Sequence, residues 1–183
     1  IRAHLASLSK PLRAALYGEF REGCKHEIVL KDVNAEAFDV MLRSACNLDP
    51  KLTPQRALHA LQAAKVYMID DLEKYCQHYL EDLNGLDCTL ILQTMTTAAQ
   101  LSLELPVEVQ KTYWANLLAK STRVVDSPAF VEAHGSIIAK LIKMDEFEVN
   151  EETFWNRLVE WSANAVLKPS LLGPYADSTP CTD

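Results

Sequence analysis

One stretch, Leu58 to Leu83, constrains the chain most. It reads LHALQAAKVYMIDDLEKYCQHYLEDL, and two helical patterns meet in it at a short joint. The first carries Leu58, Leu61, Ala64 and Met68, three to four residues apart. The second carries Leu72, Tyr75, Cys76, Tyr79, Leu80 and Leu83, the spacing of one buried helix face. Between them, Asp70 and Asp71 stand where free backbone N–H groups and the helix dipole favour carboxylates. The stretch is therefore a helical hairpin, and neither helix contains a group that must do chemistry.

The chain has 183 residues, 49% of them hydrophobic and 23% charged, enough for one medium domain or two small ones with a real core. No apolar run approaches the roughly 18 residues of a membrane span, and no signal-peptide pattern is present. The first residue is Ile1, so a fragment or processed piece is expected. The net charge of −7 argues against nucleic acid and anionic membranes as partners. That charge is uneven. Residues 1–83 hold 11 Lys/Arg against 12 Asp/Glu, and residues 84–183 hold 7 against 13. The shift suggests a boundary near Asn84–Gly85, and an acidic second half that either faces solvent or meets a basic partner. Five cysteines (Cys24, Cys46, Cys76, Cys88 and Cys181) form no CxxC and are oddly spaced, which points to reduced thiols in the cytoplasm or nucleus. Cys76 reads as a small core residue.

Taken in order, Leu5, Leu8, Leu12 and Leu16 make a helical stripe, with Ser9 as an N-cap and Pro11 in the first turn. Glu27–Leu30 is the one convincing strand, short and β-branched. Asn34 caps a helix with Phe38, Met41 and Leu42 inward. Thr53–Pro54 starts the hairpin, and Asn84–Gly85 ends it. Beyond it come short helices. One runs through Leu90, Ile91, Met95 and Ala98. The next is opened by Pro106 and carries Tyr113, Trp114, Leu117 and Leu118. Ser127–Pro128 opens another, bearing Phe130 and Val131, and a fourth bears Ile137, Ile138, Leu141 and Ile142. Asn150 caps a last helix with Phe154, Leu158, Trp161 and Ala165 on one face and Glu151 and Glu152 in its first turn. From Lys168 onward, Pro, Ser and small residues read as a tail or linker.

Reactive-site chemistry has little to stand on. In a helix, Cys76 and His78 point to different sides, so one zinc ion is not expected to take both. Cys24-x-His26 has no second pair. There is no Gly-rich phosphate loop, GxSxG or HExxH. Asp70–Asp71 reads as a solvated helix start rather than an acid/base pair. No catalytic, metal or cofactor residues are predicted.

The residues do resemble a known arrangement, a BTB (POZ) domain followed by a BACK domain. Ala3-His4, Leu8, Ser9, Leu12-Arg13-Ala14 and Leu16 resemble a helix of that family, with Leu12 and Leu16 where Phe is usual. Glu27–Val33 followed by Ala37-Phe38 and Leu42 resembles its strand and helix. Leu61, Ala63-Ala64-Lys65, Tyr67, Leu72, Cys76 and Tyr79-Leu80 resemble the last BTB helices. Asn84, Ala98, Leu105, Glu152-x-Phe154 and Trp161 resemble BACK. The resemblance implies a mainly α fold: an α+β BTB part with a short sheet over residues 1–83, an all-α BACK part over 84–167, and a tail over 168–183. The family's first strands and helix, which build its dimer interface, would precede Ile1.

The resemblance also implies a role. Many BTB-BACK proteins are non-catalytic substrate adaptors for ubiquitin ligases of the cullin-three class, and the family's cullin contact includes a hydrophobic-x-Glu motif after the helix that here ends at Tyr17–Gly18. Phe20-Arg21-Glu22 occupies that place. Phe20 would fill a groove on the cullin and Glu22 would bond at its rim. In the other reading of these residues, Phe20 closes the helix over its own core and Glu22 is solvated. The implied partners are a cullin, an unidentified substrate protein and, in a full-length protein, a second copy. The alternative role is a cullin-independent scaffold for protein assembly.

Overall fold

The computed structural model describes residues 2–17, 30, 33–82 and 87–173. These residues are mainly α, and no strand occurs among them. Of the expected strand Glu27–Leu30, only Leu30 is described, and it is neither helix nor strand. The chain divides into two compact units, Ile1–Asp82 and Leu83–Asp183.

In the first unit, α1 (Arg2–Leu8) and α2 (Lys10–Tyr17) are broken apart at Ser9. The Ser9 hydroxyl accepts the Leu12 N–H at 3.1 Å, the cap that the sequence predicts. Helix α3 (Ala35–Ala45) is capped by Asn34, which accepts the Ala37 N–H at 2.7 Å. Helix α4 (Pro54–Tyr67) is capped by Thr53, with Pro54 preset in its first turn. Helix α5 (Asp70–Asp82) opens on Asp70, Asp71 and Glu73, carboxylates set against the positive end of the helix.

Helix α4 is the centre of this unit and packs on both α3 and α5. Ala57, Leu58, Ala60, Leu61, Ala63 and Ala64 are all buried, a face wider than the Leu58–Leu61–Ala64 stripe that periodicity picks out. The alanines let neighbouring backbones come close. Asp39 of α3 accepts hydrogen bonds from Arg43 on its own helix and Arg56 on α4. The Arg43 bond, with help from Arg56, holds the Asp39 carboxyl below its ordinary pKa. Tyr79 of α5 donates to the Leu52 carbonyl at 3.2 Å.

The joint between α4 and α5 corrects two readings. Met68, expected on the buried face, is 68% exposed in the left-handed region at φ 52°. The Ile69 N–H reaches back to the Ala64 carbonyl at 2.9 Å and the Met68 N–H to Lys65 at 3.4 Å. That is the Schellman closure, which turns the residue at C′ outward and the next one inward, and Ile69 is accordingly 2% exposed. Tyr75, also expected inside, is half exposed. The narrow buried stripe of α5 is Leu72, Cys76 and Leu80.

In the second unit, α6 (Cys88–Gln100) packs on α7 (Val107–Ala119), α8 (Ser121–Asp126) and α9 (Gly135–Ile142). Helix α10 (Glu151–Leu167) is capped by Asn150, as the sequence predicts. The expected helix at Ser127–Pro128 is instead a series of turns up to His134, with Phe130 at its centre and fully buried. Buried irregular backbone must find partners outside its own segment. It finds them on α10. The Arg157 guanidinium donates to the Val125 and Ser127 carbonyls at 2.8 and 2.7 Å, the Trp161 indole to Ala133 at 2.8 Å, and the Asn164 amide to Val131 at 2.7 Å. These donors stand at i, i+4 and i+7, one helix face matched to one turn.

Trp161→Phe keeps the ring and removes the indole donor. It is expected to lower stability by about 1–3 kcal/mol, because the buried Ala133 carbonyl loses its partner. Urea unfolding followed by far-UV circular dichroism checks this, and an unchanged midpoint would refute it.

Lys168 onward is not simply tail. Pro169–Leu171 forms a 3₁₀ turn against α10, and Leu171 is 3% exposed. Its burial is tertiary, since a pair of leucines flanked by Pro, Ser and Gly carries no periodic signal.

Candidate functional site

Phe20 and Glu22 lie outside the described residues. The described chain leading to them is α2, tied to α1 by the Arg2 guanidinium on the Leu16 carbonyl at 2.7 Å and by Arg13 on the Ala6 carbonyl at 3.2 Å. Arg2 also lies over the Tyr17 ring, 5.5 Å from its centroid. Tyr17, the last residue of α2, is more than half exposed. The first unit further exposes Leu48, Val66, Met68 and Tyr75.

In the second unit Val107 on α7 and Ile142 on α9 are exposed, and α10 carries the other exposed large apolar groups among the described residues. Trp155, Val159 and Val166 recur at i, i+4 and i+11 and are 67%, 51% and 75% exposed. They form a stripe distinct from the face of Phe154, Leu158, Trp161 and Ala165, which packs inward as the sequence predicts. Sequence reading followed the inward stripe and missed the second one, although the same periodicity carries it. A shallow cleft between α6, α7 and α9 holds Met95, Leu105, Trp114 and Ile137, with the Lys140 ammonium 4.4 Å from the Trp114 ring centroid.

The reactive side chains among the described residues are Cys46, Cys76, Cys88 and the histidines. Among the described residues no group of three or more His, Cys, Asp and Glu could hold a metal ion. Cys76 is fully buried while His78 points to solvent beside Glu81 and Asp82, so the two face apart as the helical spacing requires. Burial pushes the Cys76 thiol up to about 12, leaving it an inert core group. Cys46 and Cys88 are free thiols. His134 and Ser136 have ring Nδ1 and hydroxyl Oγ 2.8 Å apart, the spacing of a base and a nucleophile. The same Nδ1, however, accepts the Ser136 N–H at 3.3 Å as the N-cap of α9, and no described carboxylate orients the other ring nitrogen. The pair is a helix cap. No described helix is long and apolar enough to cross a membrane.

A helical first unit built on a buried α4, with exposed aromatic and aliphatic groups around it, is the kind of surface on which proteins meet. Residues 1–84 match the model of the BTB/POZ domain family. Over most of its length it is similar to Kelch-like and BTB/POZ domain-containing proteins. It is 23% identical to human Kelch-like protein 6 over 176 residues, 95% of this chain and 27% of that protein. It is 27% identical to zebrafish (Danio rerio) BTB/POZ domain-containing protein 6-B over 173 residues, 94% of this chain and 34% of that protein. Zebrafish Kelch-like protein 40a is 26% identical over 166 residues, 87% of this chain and 26% of that protein. The chain thus spans about a quarter to a third of the length of these relatives.

Proposed function

We propose that the chain is part of a non-catalytic protein-interaction adaptor that links a substrate protein to a ubiquitin ligase of the cullin-three class. The BTB/POZ match over residues 1–84 carries this reading. Similarity to Kelch-like and BTB/POZ domain-containing relatives across nearly the whole chain supports it. In this reading residues 1–83 are the BTB part, residues 84–167 a BACK part and 168–183 a linking segment. Phe20 inserts into an apolar groove of the cullin, and Glu22 bonds at its rim. The exposed α10 stripe belongs to the half that orients the substrate. The protein works in the cytoplasm or nucleus, in keeping with three thiols unpaired among the described residues.

Titration calorimetry of the full-length protein against a purified cullin N-terminal region tests this reading. Binding at micromolar affinity or tighter is expected, and Phe20→Ala should weaken it by about 2 kcal/mol or more if Phe20 is a hot spot. A Phe20→Ala, Glu22→Ala double variant should abolish measurable heat. A folded wild-type protein that releases no binding heat would overturn the cullin role and favour a cullin-independent scaffold.

A further inference from the structure

The N-cap of α9 is a histidine, and it is built into the packing of the second unit rather than left at the surface. His134 is 5% exposed. Its backbone N–H donates to the Thr96 hydroxyl of α6 at 3.2 Å. Its Nδ1 faces the Ser136 hydroxyl and accepts the Ser136 N–H. The Cε1–Nε2 edge of the ring lies against Gly173, at the end of the 3₁₀ turn. A Cβ added at Gly173 would stand 2.6 Å from ring Cε1 and 2.7 Å from Nε2. Gly173 also sits at φ +58°, where glycine is the favoured residue. One residue thus joins three elements: its backbone bonds α6, and its ring caps α9 and packs against the turn that buries Leu171.

This arrangement works only for the neutral ring. Nδ1 must keep its lone pair to accept from the cap N–H, so the single ring proton belongs on Nε2. A second proton would remove the acceptor and place a cation at the positive end of α9, where a cation is disfavoured. Among the described residues, nothing packed around the ring offsets that charge. Ala99 and Gln100 of α6, together with Ser102, Ser170 and Gly173, share its cleft, and none is acidic. Helix α6 carries no Asp, Glu, Lys or Arg. The nearby Glu132 is ion-paired to Lys168 at 2.9 Å, a cation at the start of the turn itself. On α9, Lys140 lies over Trp114. On α10, Arg157 bonds Val125, Ser127 and Glu160. Burial correspondingly lowers the affinity of His134 for a proton.

We propose that His134 is a proton-operated latch: neutral, it caps α9 and seats the Pro169–Gly173 turn, and protonated, it releases both. A histidine titrating below its unfolded value of about 6.5 contributes stability that is fully present above that pH. The contribution is lost as pH falls from there through the folded value, and the opening equilibrium rises by up to about tenfold per pH unit. Release would uncover the apolar surface now closed by Leu171.

Hydrogen exchange on the full chain between pH 7.5 and 5.5 tests the latch, with rates corrected by an unstructured peptide of the same sequence. The reporters are the Leu171 and Leu172 amides, which bond the Lys168 and Pro169 carbonyls at 3.0 Å. Their protection is expected to fall severalfold with pH in the wild type. In His134→Asn, whose amide oxygen can still cap α9 but does not titrate, it is expected to stay level. A pH-independent wild type, or an equal fall in both proteins, would overturn the proposal. If His134→Asn does not fold, the NMR titration of the wild-type His134 ring decides. A midpoint below about 6.5 supports the latch, and one at or above it sinks it.

Discussion

Phe130→Ala is expected to destabilise the second unit by about 3–5 kcal/mol. Phe130 is fully buried at the centre of the Ser127–His134 turns. Its ring meets Phe154 of α10 edge-on, with centroids 6.1 Å apart at 65°, and Phe154 meets Phe147 at 5.6 Å. Truncation removes the transfer energy of a large side chain and the aromatic contact, and it leaves a cavity. The cavity has little means of closing, because its walls are held in place by hydrogen bonds. Ser127 is fixed by the Thr89 hydroxyl at 2.9 Å and by the Ala129 N–H at 3.2 Å, and Arg157, Trp161 and Asn164 anchor the turn to α10. The three tryptophans, Trp114, Trp155 and Trp161, all lie in this unit, so their emission reports its unfolding directly. A urea midpoint within experimental error of the wild type would refute this account of the turn.

Leu61→Ala should cost about 2–5 kcal/mol in the first unit, toward the upper end of that range. Leu61 is fully buried on α4. Its neighbours on that helix face are Ala57, Leu58 and Ala64, and the two alanines have no rotamers with which to fill a void. Helices α3 and α5 would have to move bodily to do so, against the Asp39–Arg56 contact on one side and the Tyr79–Leu52 bond on the other. Val66 makes the contrast. It is half exposed on the same helix, and Val66→Ala is expected to fall within about 0.5 kcal/mol of wild type. Hydrogen-exchange protection over α3, α4 and α5 is the appropriate readout, since residues 1–82 contain no tryptophan. Equal losses for the two variants would mean that α4 is not the centre of this unit.

Local chemistry is what the sequence conveys well. Ser9, Asn34, Thr53 and Asn150 were all legible as caps, because a short polar side chain before an apolar period satisfies free N–H groups wherever the helix later packs. The helix ends were less legible. Three helices close in the same Schellman pattern with Asn47, Met68 and Ser102 at positive φ, where a glycine is the usual signal. Without that signal Met68 read as one more apolar residue on a continuing face.

What the sequence by itself determined is the helical character of the chain, its caps, the inward face of α10, the Leu58–Leu61–Ala64 and Leu72–Cys76–Leu80 stripes of α4 and α5, and the resemblance of residues 1–83 to the BTB/POZ family. What only the tertiary structure decided is how non-periodic chain becomes core. Phe130 and Leu171 lie in segments with no period of their own, and their burial depends on donors and walls supplied by distant elements. The outward stripe of Trp155, Val159 and Val166 and the buried cap of His134 belong to the same class. Periodicity says that a helix has two apolar faces, and a histidine before a helix is simply a polar residue. Which face finds a neighbour, and whether a turn closes over an imidazole, depends on contacts between residues tens of positions apart, and those exist only once the chain has folded.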